Sequence, residues 1–508
     1  MAIRSDQLRI RKRRIEQRLQ KSSREDRGRP MLSADGIMYE LSDRSRGMCY
    51  GGIGAMLQFV EKIGLVSEID RRLHLLLIHN PYHESDHVLN LAFNAMCQGT
   101  CLEDIELRRN DEVFLDALGT ERIPDPTTAG DFCRRFKEYH IRTLMDVFDT
   151  VRQKIWAQQP KAFFRQATID MDGSLVSTNG ECKQGMDISY NGVWGYHPLI
   201  LTLAQTGEVL RIVNRSGNRP SHEGAAAEVD AVIPLCEQAG FERILLRGDT
   251  DFTQTTKLDE WDDNPRVQFI FGMDSMPNLQ VLADDLPEKA WRRLRRPARY
   301  QVKTERRRRP RNVKKRVVKA RNFENIRLES EEVAEFEYSP TACRKTYRMV
   351  VVRKNLAIEK GQERLFDDYK YFFYITNDWD ASPDEIVFSA NDRCQQENLI
   401  EQLKNGVRSL AAPVDSLLAN WAYMVMTSLA WNLKAWFGLS LPETGRWAEK
   451  HQQEKRYVLS MEFKRFANRF LMLPCQIVKT GQRIVYRLLA WNPDLPIFRR
   501  FLLTLDGW

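Results

Sequence analysis

Two aspartates, Asp170 and Asp172, stand two positions apart in the apolar and β-branched stretch ATIDMDGSLVS at 167–177. A spacing of two puts both side chains on one face of a strand. Their charges would repel unless a cation lay between them, and hard carboxylate oxygens suit a divalent ion. A further candidate, Asp249, lies where the strand-like RILLRGDTDF at 243–252 runs into a loop. Another is Glu397, within SPDEIVFSANDRCQQENLIEQLKNGVRS at 382–409. At about 100° per residue, Arg393, Glu397, Ile400 and Lys404 share a helical stripe roughly 60° wide, so two cations flank Glu397 and favour its ionised form. A surface ladder of salt bridges would give the same pattern. Three oxygen donors with open positions would suit Mg²⁺, which keeps waters and takes phosphate oxygens. A pair of such ions can activate a water or a 3′-hydroxyl and stabilise the leaving oxygen in phosphodiester chemistry.

These residues need elements to bring them together. From 52 to about 156 apolar residues recur at three and four, predicting helices. Within that region, 123–140 reads as a turn and then a helix capped by Thr127 or Thr128, carrying Phe132, Arg134, Arg135 and Lys137. Such a helix would suit a DNA groove or an ordinary bundle. After 160 the period shortens. Two apolar runs in 197–218 flank Gln205-Thr206-Gly207 as in a hairpin, a helix follows at 223–240, then a strand at 243–252, a short helix and a strand at 267–273. This order predicts a mixed sheet with an antiparallel meander, its first and fourth strands side by side and the late helix packed across its face. Strand-like pieces such as YRMVVVRKN at 347–355 interrupt the order, which resumes with YFFYITND at 371–378 and a helix started by Ser382, Pro383 and Glu385.

The net charge of the 508 residues is +8, but its distribution is uneven. Residues 291–320 hold fifteen Lys/Arg and one Glu, and residues 1–30 hold eleven Lys/Arg and four Asp/Glu, which leaves the remainder at −13. Tyr300, Val302, Val313, Val317 and Val318 interleave the charges of the longer run. An acidic body with two concentrated basic segments is what a polyphosphate partner selects. A glycosidase would also use paired carboxylates but gives no reason for such a block. The basic start is unlike a signal peptide. The apolar stretch 417–439 contains Asn420, Thr427, Ser428, Asn432 and Lys434, so it reads as a buried helix and not a membrane span. Nine cysteines without a CxxC pair, Cys97 and Cys101 included, fit a reduced cytosolic chain.

With these motifs in order, the chain resembles the DDE transposases of bacterial insertion sequences, in the RNase H-like group that carries a strand-rich insertion between its second and third acidic residues. That group's third carboxylate lies in Y-x2-R-x3-E-x6-K. Arg393, Glu397 and Lys404 fill the last three places, and Ala390 stands at the tyrosine position. Its first aspartate precedes a small residue and Ser or Thr, as in Asp172-Gly173-Ser174; its second lies in R-x-D-S/T-x-F, matched by Arg247, Asp249, Thr250 and Phe252. The segments YNGVWGYHPLI at 190–200 and RSGN at 215–218 also resemble the group's connections.

The resemblance implies an α/β fold: an RNase H-like mixed sheet with flanking helices at 161–275 and 371–440, and a basic β-rich insertion at 276–370. It implies a basic arm at 1–30, a helical N-terminal DNA-binding or dimerisation region at 31–160, and a C-terminal region at 441–508. Asp172, Asp249 and Glu397 would hold Mg²⁺ or Mn²⁺, with Asp170 an auxiliary catalytic carboxylate. Arg393 and Lys404 would contact DNA phosphate or steady Glu397, and Arg306, Arg307, Arg308, Arg309, Lys314, Lys315 and Arg316 would hold DNA. The implied activity is cutting at terminal inverted repeats and joining the 3′ ends to target DNA, by a homodimer acting on double-stranded DNA at the bacterial nucleoid, in the cytoplasm and away from any membrane. Two alternatives share these residues: a transposase-derived DNA-binding protein without catalysis, and an RNase H-like nuclease that cuts but never joins.

Overall fold

The computed structural model describes residues 5–20, 46–295, 327–359, 362–363, 369–480 and 483–505. Three of the N-terminal helices bear on the rest: α1 (Glu84–Met96), α2 (Pro126–Arg134) and α3 (Glu138–Trp156). Helix α2 starts two or three residues earlier than its threonines suggested. Asp125 is the cap, accepting from the Thr128 backbone N–H and from its hydroxyl, both at 2.8 Å, because Pro126 fixes the first helical position. Phe132 and Cys133 are buried and Arg134 bonds Asp131 and Asp415, so this is a bundle helix with its arginine engaged.

The period-two segments form the sheet. Central strand β1 (Ala167–Gly173) pairs antiparallel with β2 (Leu199–Leu203), which turns through Gly207, at φ 70°, into β3 (Glu208–Val213). Helix α4 (Ala225–Ala239) crosses back to β4 (Ile244–Gly248), which lies parallel to β1 on its other side, and β5 (Val267–Met273) follows parallel to β4. The spatial order β3-β2-β1-β4-β5 is the RNase H-like arrangement, with the first and fourth strands adjacent.

The strands of the expected β-rich insertion, with the strand read at 371–378, lengthen this sheet. Strand β6 (Arg327–Tyr338) pairs with β7 (Tyr347–Glu359), β7 with β8 (Tyr369–Thr376), and β8 runs antiparallel to β5, with Phe373 opposite Met273. Among the described residues the sheet has ten strands, counting two short pieces. Local alternation identifies a strand but not its neighbour, which is why the join was hidden.

Beyond the sheet come α5 (Pro383–Asp392), α6 (Cys394–Glu401) and α7 (Leu417–Leu439). The start of α5 is the expected capping box of Ser382 and Glu385. Helix α7 is buried along nearly its whole length, and one of its polar residues, Asn432, serves the edge strand β3. The Asn432 carboxamide accepts from the Val209 N–H at 2.8 Å and donates to its carbonyl at 3.0 Å, satisfying backbone groups that a sheet edge leaves open. No helix among the described residues is long and apolar enough to cross a membrane, and all nine cysteines are free. Near the end of the chain, strands at 475–480 and 483–488 form a hairpin that pairs with 47–48, closing the C-terminal region onto the N-terminal one. The first basic segment is helical over Ser5–Gln20, where Arg11 bonds the Leu489 carbonyl.

One buried carboxylate joins three of these parts. Glu208, at the start of β3, has no exposed surface and accepts from Arg152 Nε (3.1 Å) and Trp156 Nε1 (2.9 Å) of α3, Trp436 Nε1 of α7 (2.8 Å) and Thr206 Oγ1 (2.7 Å). Glu208→Ala would leave the Arg152 charge buried with Asp149 as its remaining carboxylate partner and two indole N–H groups without acceptors. A loss of about 3–5 kcal/mol is expected, read as a lower urea midpoint; an unchanged midpoint would refute the bracing role.

Candidate active site

The parallel register of β1 and β4 places Asp170 beside Arg247, and two residues farther along each chain come Asp172 and Asp249. Both therefore stand at the carboxyl ends of adjacent strands, where open α/β sheets present their ligand sites. Asp170 and Asp172 share a strand face as expected, but they do different things. Asp170 is 1% exposed, and both its oxygens are taken by Arg247, Nε to Oδ1 at 2.7 Å and Nη2 to Oδ2 at 2.9 Å. Asp170, expected behind or beside the metal ligands as an auxiliary carboxylate, is the buried half of an ion pair. Arg247 Nη1 also donates to the Ser389 carbonyl at 2.6 Å, tying α5 to the strands.

Asp172 and Asp249 are arranged alike. One oxygen of each is fixed by a backbone N–H: Oδ1 of Asp172 by Gly173 at 2.8 Å, and Oδ1 of Asp249 by Asp251 at 3.1 Å. The other oxygens face a single guanidinium, with Arg393 Nη1 at 3.3 Å from Asp172 Oδ2 and Nη2 at 3.5 Å from Asp249 Oδ2. Burial pushes the Asp172 carboxyl up to about 6; Arg393 opposes this, while Asp249 and Glu397 add to it. Burial raises Asp249 as well, again against Arg393, with Asp251 and Asp274 raising it further.

The helix that carries Arg393 is not continuous. The single helix read from the sequence ends at Asp392, turns at Arg393 and restarts as α6, ending in a π-helical turn over Gln402–Gly406. The stripe through Arg393, Glu397 and Lys404 is thereby broken at both ends. Buried Gln396 pins α6 across β1 and β2, its Nε2 donating to the carbonyls of Asp170 at 3.1 Å and Ile200 at 3.2 Å. Glu397, the next residue, is exposed and near enough for its charge to bear on Asp172. Lys404 is half-buried, which lowers its pKa, and it feels the Asp172 charge.

The structure thus brings Asp172 and Asp249 onto one cation and leaves Glu397 beside them. Among the described residues no three acidic, histidine or cysteine side chains stand close enough to enclose a metal ion. The two aspartates nevertheless fit one, since their free oxygens already converge on a positive group. Arg306, Arg307, Arg308, Arg309, Lys314, Lys315 and Arg316 lie outside the described residues. Three residues near the site were not singled out from the sequence: Gln396, Asp274 and His197. The ring of His197, its Nδ1 at 3.0 Å from the Arg219 carbonyl, lies against Gly173, where a Cβ would meet Nε2 at 2.7 Å. The small residue after Asp172 is therefore required by packing.

The raised Asp172 pKa has a stability consequence. Its contribution is full below the ordinary value of 3.8 and is lost as pH rises through about 6, so at neutral pH the ionised group burdens the metal-free fold. Asp172→Asn should be more stable than wild type near pH 7.5, by on the order of 3 kcal/mol at most, and should converge with it near pH 4. Thermal unfolding of the metal-free proteins at the two pH values checks this; no difference at either would refute it.

Residues 48–507 match the family model described as transposase DDE domain group 1. No curated protein matches the chain. Among solved structures, the chain is similar to a piggyBac transposase in the cryo-EM structure of its synaptic complex with hairpin DNA, at 13% identity and a TM-score of 0.34, over 83% of this chain and 82% of that one. With the family match spanning nearly the whole chain, the protein belongs to the group 1 DDE-domain transposase family.

Proposed function

We propose that this chain is the transposase of a bacterial insertion sequence, cutting DNA at the element's terminal inverted repeats and joining the freed 3′ ends to target DNA. The observation that carries the reading is the pair Asp172 and Asp249, each with one oxygen held by a backbone N–H and the other turned to a shared cation position. Asp172, Asp249 and Glu397 would hold Mg²⁺ or Mn²⁺. Such ions activate the attacking oxygen and stabilise the leaving one at phosphorus. Arg393 and Lys404 supply positive charge at the same cleft for a phosphate of the scissile strand. The basic block at 291–320 and the arm at 1–30 would grip double-stranded DNA by its phosphates, giving affinity without sequence choice. Because element ends come in pairs, the working unit is a homodimer.

The test is strand cleavage of a labelled duplex bearing the element's terminal sequence, in Mg²⁺ or EDTA. Wild type should nick at the element end only with metal, while Asp249→Asn and Glu397→Gln should lose cutting by several orders of magnitude yet keep DNA binding, since neither removes a basic group. Equal loss of binding in the variants would count against the assignment. Tight binding by wild type with no cleavage would favour a DNA-binding protein without catalysis, and cleavage without joining a nuclease. Separately, replacing Arg306, Arg307, Arg308 and Arg309 by glutamine should weaken DNA affinity and flatten its logarithmic salt dependence by about 0.9 for each phosphate no longer neutralised. An unchanged slope in a binding titration would sink that role.

A further inference from the structure

We infer that Arg393 is a built-in counter-cation, which occupies the position between Asp172 and Asp249 in the free protein and leaves it when a DNA phosphate offers a better partner, so that divalent metal loads only on DNA. This rests on the reading of the two aspartates as metal ligands. Its basis is geometric. The guanidinium spans the two Oδ2 atoms that the backbone leaves free, at 3.3 and 3.5 Å, so an ion drawn to those oxygens meets a resident positive charge.

The surroundings explain why a resident cation is needed. Asp249 and Glu397 bear on Asp172, and Asp251 and Asp274 on Asp249, while among the described residues Arg393 is the cation paired with both members of the central pair. Like charges held this close cannot all remain ionised without a counter-charge. Arg393 also sits at a break between two helices. It is the turn residue between α5 and α6, where the bonds run from the Arg393 N–H to Ala390 at 3.4 Å and from the Gln396 N–H to Arg393 at 2.8 Å, a local tightening of the helix. Its bonds to the aspartates are long for charge-assisted ones, whereas a phosphate can engage the planar fork through two short ones. Lys404, which also feels Asp172, adds attraction for the same phosphate. The consequence is an order of events: phosphate first, metal second, with the unbound protein kept from acting as a metal-loaded nuclease.

The experiment is a Mn²⁺ titration of the full chain, with unbound Mn²⁺ read by electron paramagnetic resonance, with and without a duplex of the element's terminal sequence. Asp249→Asn in each arm gives the binding that belongs to other sites and to the duplex. Wild type alone should bind Mn²⁺ weakly at the Asp249-dependent site, and the duplex should tighten it roughly tenfold or more. Arg393→Gln should bind that tightly without the duplex and gain nothing from it. Equal affinity of wild type and Arg393→Gln without DNA overturns the inference. Should Arg393→Gln not fold, wild type decides alone: the same Asp249-dependent affinity with and without duplex overturns it. Absence of Asp249-dependent Mn²⁺ in every arm overturns the metal-site reading itself, whereas such binding, equal in all arms, removes only the role of Arg393.

Discussion

The ion pair between Asp170 and Arg247 is the contact on which the arrangement of the site depends. It is bidentate, buried, and made between neighbouring parallel strands, so it is satisfied in one register only. A slip of one residue would turn every side chain on β1 to the opposite face. The pair thus sets where Asp172 and Asp249 emerge two residues on. Its third bond, to the Ser389 carbonyl, ties α5 to the same strands one turn before Arg393. Removing either partner would strand the other as a lone buried charge, which costs far more than the pair's net contribution.

Around that ion pair the molecule divides into a fixed face and a less constrained one. The sheet is held from behind, where Glu208 collects donors from α3, α7 and its own turn, and where Asn432 occupies the open edge of β3. The two aspartates are fixed to this frame by the N–H groups of Gly173 and Asp251. Glu397 stands on α6, a short helix with a turn before it and a π-helical turn after it, pinned to the sheet through the carboxamide of Gln396. Two carboxylates of the candidate set therefore belong to the rigid frame and the third to an element interrupted at both ends.

Much of this was legible in the sequence because it is local or follows from element order. The strand periods, the Ser382 capping box, the buried polar helix at 417–439 and the adjacency of the first and fourth strands are of that kind. What could not be read is long-range. Asp170 looks like a ligand until Arg247, 77 residues away, is found against it. The turn at Arg393 contains neither glycine nor proline, so nothing in SANDRCQQ announces it. The strands after 326 show their alternation but not that β8 will pair with β5. His197 lay where a connecting segment meets the first run of a hairpin, and its relation to Gly173 exists only once β1 and β2 are aligned.

Four acids of the sheet, Asp170, Glu208, Asp172 and Asp249, differ in how completely protein groups satisfy them. Asp170 has a short bond to each oxygen, and Glu208 accepts four hydrogen bonds within 3.1 Å. Folding alone explains such groups, since a carboxylate taken out of water must be fully paired. Asp172 and Asp249 are treated otherwise: each keeps one backbone bond, shares one arginine at 3.3 to 3.5 Å, and faces other acids. A fold selected only for stability would complete those shells or replace the residues. That Asp172 and Asp249 stand together, at the carboxyl ends of the two central strands, is the physical reason to propose chemistry for them and a structural part for Asp170, although the sequence presents Asp170 and Asp172 as twins.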